Sequence, residues 1–261
     1  MKPAREDAAV DLLHLEALRA GEDAAAVRRL LAAYAPEEAV LVALLRRAVP
    51  VRFLEQVAAT HPWSDRPAVL ARVVLNPRTP RAVSLKIVSS LFWRHLADVA
   101  ASPCVPAAVR VRAEATLRDT LPEMRLGDRI TMAKIATPSI LAELLADRDG
   151  KVTEAALLNP RLREADLVSA LRRDTVARSL VEAAATSPRW KECYAVRLGL
   201  ALQPRTPLPI ALLQLSSLAP ADLMRVASAA GLAPLVAAAA LATVERRLGH
   251  EPRGAGGRPS G

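Results

Sequence analysis

The chain has 261 residues, 52% of them hydrophobic but only 3% aromatic, so its core must be built from Leu, Val, Ile and Ala. Its formal charge is +9, carried by 31 Arg and 5 Lys against 27 acidic residues. Two distant cysteines, Cys104 and Cys193, have no metal or redox spacing and argue against a disulfide scaffold.

The opening Met1-Lys2-Pro3-Ala4-Arg5-Glu6-Asp7 lacks the apolar run of a secretory signal, so a cytoplasmic setting is expected. Residues 5–48 read as two or three amphipathic helices, close to neutral in charge. Val10, Leu13 and Leu18, then Val27, Leu30 and Leu31, form their apolar stripes, with Gly21 between them. Pro36-Glu37-Glu38 suits a helix start, where acids meet the positive end of the macrodipole. Residues 1–50 are expected to form an N-terminal helical cap, and repeats to begin at Val51.

Leu75-Asn76-Pro77-Arg78-Thr79-Pro80 is the stretch around which the rest is organised. Asn76 suits a left-handed helix end, Thr79 an N-cap and Pro80 a first helical position, giving a tight corner between two helices. The corner returns as Leu202-Gln203-Pro204-Arg205-Thr206-Pro207. From Leu75–Asp119 to Leu202–Arg246 the two segments align without a gap, with 16 of 45 positions identical. Leu85, Val88 and Leu91 become Leu212, Leu215 and Leu218, one apolar stripe retained in both copies.

The duplication extends upstream, since Ala58-Ala59-Thr60-His61-Pro62-Trp63 is echoed, with a one-residue slip, by Ala184-Ala185-Thr186-Ser187-Pro188-Arg189-Trp190. The pair spans about 54–119 and 181–246. Between the copies, Thr137-Pro138 starts a helix, Asp147-Arg148-Asp149-Gly150 turns, and Leu158-Asn159-Pro160-Arg161 repeats the corner. A unit of about 42 residues built from two helical pieces fits an α-solenoid. Twenty prolines against ten glycines fit corners better than a compact bundle. The tail, Gly249–Gly261, has no apolar face and is expected to be disordered.

Val73-Val74-Leu75-Asn76-Pro77-Arg78-Thr79-Pro80, Ile135–Leu145 and Ala156–Leu171 resemble the Asn-Pro-x-Thr-Pro-x-x-x-Leu-x-x-Leu pattern of bacterial leucine-rich-repeat-variant proteins and related HEAT-like repeats. The resemblance covers about residues 51–248 and implies an all-α, right-handed superhelix of short helices acting as a protein-interaction scaffold. The founding variant-repeat protein also carries a cysteine-ligated iron–sulfur region. This chain has no cysteine cluster, so no cofactor is expected.

No nucleophile, metal or nucleotide motif stands out, and His14, His61, His95 and His250 are scattered without a partner at ligand spacing. The uncharged run Val226–Val244 is long enough for a membrane span, but Gly231 and Pro234 interrupt it and its repeat partner carries Arg110, Arg112 and Glu114. A buried Ala-rich helix pair is expected there. Trp63 and Trp190 occupy equivalent places, which favours packing at a repeat joint. Trp93, beside Arg94 and His95, could either pack or anchor a partner. Arg78, Arg161 and Arg205 would line one edge of a regular stack. The leading expectation is a non-catalytic scaffold that binds a protein through that edge and Trp93. The alternative is a nucleic-acid-binding solenoid, a HEAT-like DNA-repair type included, with the arginines following a phosphate backbone.

Overall fold

The computed structural model describes residues 2–249, with side chains from Asp7 to Leu248. The expected disorder of the tail concerns residues that, beyond Gly249, lie outside that range. The described residues form α-helices and two short 3-10 turns, without a strand. None of these helices is long and apolar enough to cross a membrane.

Two compact units divide at Arg125/Leu126. In the first, α1 (Lys2–Ala20), α2 (Ala24–Tyr34) and α3 (Glu38–Leu44) precede α4 (Val51–Ala59), α5 (Pro67–Leu75), α6 (Arg81–Val88), α7 (Trp93–Ala101) and α8 (Ala107–Thr120). Helices pack on their neighbours and on the next but one: α1 on α3, α2 on α4, α3 on α5, α5 on α7, α6 on α8. The second unit holds α9 (Leu126–Ile135), α10 (Pro138–Leu144), α11 (Gly150–Leu157), α12 (Glu164–Leu171), α13 (Arg178–Thr186), α14 (Tyr194–Leu202), α15 (Leu208–Leu215), α16 (Pro220–Ser228) and α17 (Pro234–Gly249). It repeats the arrangement, with α9 on α11, α10 on α12, α11 on α13, α12 on α14, α14 on α16 and α15 on α17.

The duplication is visible in the backbone. Helices start at Val51 and Arg178, Pro67 and Tyr194, Arg81 and Leu208, Trp93 and Pro220, Ala107 and Pro234, each pair 127 positions apart. The one-residue slip is therefore not in the Thr-Pro string; α4 and α13 already hold the common register. It lies further upstream, because α2 and α11, and α3 and α12, start 126 positions apart. The correspondence continues through α2 and α3, on the N-terminal side of the boundary expected at residue 51. Asp23 and Asp149 are matching N-caps, each accepting from the amide two residues on, at 2.8 and 2.9 Å.

The local chemistry of the corners differs from the expectation in two ways. Asn76 is extended (φ −74°, ψ 125°), not left-handed, and Thr79 does not cap the next helix. Pro80 holds the N-cap position and α6 starts at Arg81, while the Thr79 hydroxyl donates back to Val73 O at 2.5 Å. Thr137 and Pro138 do occupy the N-cap and first helical position of α10. In α1 the buried stripe is Val10, Leu13 and Ala17; Leu18 faces outward. A spacing of 3 and 4 residues keeps Ala17 on the stripe, whereas Leu18 falls about 100° round the helix.

The core of the last helices is formed by Leu198, Ala211, Leu215, Leu218, Leu223, Val226, Val236 and Val244 among others. The run Val226–Val244 is thus two helix segments, α16 and α17, separated by a turn in which Gly231 takes φ +81°, and it contributes one face to this core. Position 84 tests the energetics of the matching core. Ser84 is fully buried, and its hydroxyl has no partner among the described residues, whereas the equivalent residue is Ala211. Ser84→Ala is expected to leave the denaturation midpoint unchanged or raise stability by up to about 1 kcal/mol, since removing an unsatisfied buried hydroxyl relieves a desolvation cost. A loss of comparable size would mean that the hydroxyl has a partner in solution.

Candidate partner-binding edge

Three corners share one joint. The Asn76 side-chain amide donates to Leu45 O and Arg47 O, both at 2.9 Å, at the end of α3. Asn159 donates to Ala133 O and Ala136 O at the end of α9, at 2.8 and 3.3 Å. Gln203 donates to Leu171 O and Arg173 O at the end of α12, at 2.5 and 3.1 Å. In each case the amide oxygen accepts from the backbone two residues on, Arg78 N, Arg161 N and Arg205 N respectively. All three amides are buried.

The last carbonyls of a helix have no intrahelical partner, so each amide caps the helix two earlier while it shapes its own corner. That dual role explains why Asn and Gln interchange here. A signal for it exists in the sequence: Leu45-Arg46-Arg47 recurs as Leu171-Arg172-Arg173, marking the two receiving helix ends. The following threonines are less alike. Thr79 reaches Val73 O, but the buried Thr206 hydroxyl has no partner among the described residues.

The corner fixes where each arginine leaves the backbone, yet the guanidinium groups behave differently. Arg78 belongs to the first unit; Arg161 and Arg205 belong to the second. All three are exposed. Arg161 donates to Ile135 O at 2.5 Å and is part of its joint. Arg78 and Arg205 have no side-chain partner among the described residues. Other arginines serve helix ends: Arg189 donates to Asn159 O and Leu162 O, Arg173 to Ala142 O, and Arg247 to Leu218 O and Ser216 O. The forked guanidinium suits paired carbonyls at a helix terminus.

Trp93 does not present an exposed anchor. It is 6% exposed, with Arg94 stacked 5.3 Å from its ring centroid. The neighbouring Phe92 is the exposed ring, at 56%, which sequence reading missed. Because Phe92 is the N-cap of α7 and Trp93 its first helical residue, one step along the chain turns one ring outward and the other inward. Trp63 and Trp190 are buried at joints as expected. Trp63 Nε1 donates to Pro36 O at 3.1 Å and Trp190 Nε1 to Leu157 O at 2.8 Å.

Two open clefts lie at the helix ends away from the corners. In the first unit, about 320 Å³ is bounded by Pro36, Glu37, Glu38, Pro62, Trp63 and Arg66. In the second, about 240 Å³ lies beside Lys191, Arg197 and Leu213, and Leu213 is 73% exposed at its rim. Arg197 is held there by Lys191 O at 2.7 Å and by Glu192. Among the described residues no three His, Cys, Asp or Glu side chains gather to hold a metal ion. His61 pairs with Asp65 at 2.9 Å on the surface. Cys104 is exposed and Cys193, the N-cap of α14, is partly buried.

One electrostatic staple ties α14 to α16. The Tyr194 hydroxyl donates to Asp222 Oδ2 at 2.5 Å and accepts from Ala219 N, while Arg225 donates to Asp222 Oδ1 at 2.7 Å. The Tyr194 hydroxyl, aided by Arg225, holds the Asp222 carboxyl below its ordinary value of 3.8. A carboxylate depressed in the folded state adds stability that is complete above its unfolded pKa and drains as pH falls through the folded one. Asp222→Asn should therefore be less stable than the parent near pH 6, and the gap should close below about pH 4. Urea midpoints at a series of pH values measure this; a gap that widens on acidification contradicts it.

Comparison with known proteins finds no family, no curated protein and no solved structure that matches the chain.

Proposed function

We propose that the chain is a non-catalytic protein-interaction scaffold, a right-handed HEAT-like α-solenoid that binds its partner along the corner edge. The recurrence of the amide joint at Asn76, Asn159 and Gln203 carries this reading. The same polar side chain repeatedly completes a helix end two elements earlier, as expected of stacked repeats that each complete their neighbour. The corner chemistry is thereby directed inward. Beside its own corner each unit keeps one exposed arginine without a side-chain partner among the described residues, Arg78 in the first and Arg205 in the second, and arginine is enriched at protein interfaces. Arg161 is a weaker contributor because its guanidinium already serves Ile135 O.

The net charge of +9, and Arg78 and Arg205 without a side-chain partner among the described residues, favour a second reading, a nucleic-acid-binding solenoid. The diversion of Arg161, Arg173, Arg189 and Arg247 to backbone carbonyls argues for the scaffold, since those charges have a structural explanation.

Affinity capture of the tagged full chain from native lysate, with and without nuclease, separates the two. A discrete protein partner that survives nuclease and is lost with Arg78→Glu/Arg205→Glu, at unchanged helicity, is the expected result. Capture unaffected by the double substitution would remove the edge assignment. A partner set that collapses with nuclease, together with a linear fall of log affinity against log salt on defined DNA or RNA, would establish the second reading.

A further inference from the structure

The outer face of α1 is apolar where a helix facing water is ordinarily polar. Leu12, Leu15 and Leu18 are 50%, 54% and 47% exposed, on the side opposite the buried Val10, Leu13 and Ala17. The spacing of three residues puts these leucines in one stripe, with the exposed Ala8 beside Leu12 and Leu15. The second unit shows how such a position is otherwise treated. There α10 packs on α11 and α12 as α1 packs on α2 and α3, its apolar Ile140, Leu141 and Leu144 are buried, and its exposed residue is the charged Glu143.

The stripe is also self-complementary. Around Leu15, Leu12 and Leu18 lie three residues before and after, and Asp11 and Arg19 lie four residues before and after. All five share the outer face, because three- and four-residue steps stay on one side of a helix. Two such helices run antiparallel about a twofold axis at Leu15 would place Leu12 of each against Leu18 of the other, and Asp11 of each against Arg19 of the other. Both charged side chains reach solvent: Asp11 is 63% exposed while touching Arg47, and Arg19 is 74% exposed while touching Glu16. A parallel pairing would set Asp11 against Asp11 and Arg19 against Arg19, so the charges select the antiparallel arrangement. A twofold interface uses the same patch on both subunits, which is what this pattern supplies.

We propose that the outer face of α1 is a homodimer interface, formed by antiparallel pairing of Leu12, Leu15 and Leu18 between two copies of the chain and registered by reciprocal Asp11–Arg19 ion pairs. The area of one helix face makes it a modest interface of the transient kind, with assembly that depends on concentration. It is separate from the corner edge, and neither reading requires the other.

Sedimentation velocity of the full chain over a micromolar concentration series tests it. The expected result is a monomer–dimer equilibrium, with the mass rising from 27.9 kDa towards twice that value. Leu15→Glu should remove the dimer across the series without changing helicity, as it places two carboxylates at the axis. Asp11→Arg and Arg19→Asp should each weaken dimerisation by about tenfold, roughly the effect of turning two exposed attractive pairs into repulsive ones. The double substitution Asp11→Arg/Arg19→Asp should restore it, and an equimolar mixture of the two single variants should form the heterodimer preferentially. A purely structural role of α1 predicts neither rescue nor heterodimer. A chain that stays monomeric throughout, or a dimer that persists in Leu15→Glu, overturns the proposal; persistence would point instead to another exposed apolar face, such as that of Leu235 and Leu241 on α17.

Discussion

Replacing Asn159 by alanine is expected to destabilise the protein by about 3 kcal/mol, a large fraction of the stability of an ordinary domain. The side chain is 1% exposed and joins two helices through three hydrogen bonds: to Ala133 O, to Ala136 O, and from Arg161 N. Alanine leaves two carbonyls and one amide without their partner in a site that water reaches poorly, and an unmade buried hydrogen bond costs more than a made one contributes. Asn159→Asp should be worse at neutral pH, because a carboxylate keeps the acceptor for Arg161 N but turns negative charge towards two carbonyl oxygens. Denaturant unfolding followed by far-ultraviolet circular dichroism measures both. The same ordering is expected for alanine at Asn76 and Gln203, with Gln203→Asn milder than Gln203→Ala. A cost below about 1 kcal/mol for Asn159→Ala would show that the joint is incidental to stability.

Trp190→Ala should cost about 3–5 kcal/mol, the range for emptying a buried aromatic position. Trp190 is 6% exposed, its ring lies under Arg189 at 4.3 Å, and its indole donates to Leu157 O. Trp190→Phe separates the contributions: it keeps most of the apolar volume and loses the donor, for an expected cost of about 1–2 kcal/mol. The residue also connects to the Asn159 joint, because Arg189, positioned on the Trp190 face, donates to Asn159 O at 2.7 Å. Substitutions at positions 159 and 190 should therefore be non-additive, and a double-mutant cycle reads the coupling directly. Additivity within experimental error would mean that the two joints are independent. Circular dichroism is the suitable probe, since removing an indole changes the fluorescence baseline.

That the chain is helical and that two stretches 127 positions apart fold alike was legible in the residues; the upstream extent of the duplication and the place of its one-residue slip were not. Pro-Arg-Thr-Pro at two places 127 positions apart, with apolar stripes retained around it, determines that two stretches fold alike, because the same local preferences act on the same pattern. The burial of Trp63 and Trp190 followed from their equivalence. What a side chain does across space did not follow. Asn76 reads locally as a left-handed helix end, but a carbonyl pair at the end of α3 offers its amide two acceptors, and meeting them in an extended conformation satisfies more buried groups. Thr79 reads as an N-cap, yet Val73 O lies within its reach.

The arginines show the same division. Sequence places Arg78, Arg161 and Arg205 at matching corners; only tertiary contact engages Arg161 on Ile135 O and leaves the other two without a partner among the described residues. Phe92, the extended N-cap of α7, and Trp93, its first helical residue, point different ways, and which of them is covered depends on where the neighbouring helices lie. Periodicity determines which residues share a face. Packing determines which face is covered, and among the described residues the outer face of α1, with its leucines and its balanced Asp11 and Arg19, stays exposed.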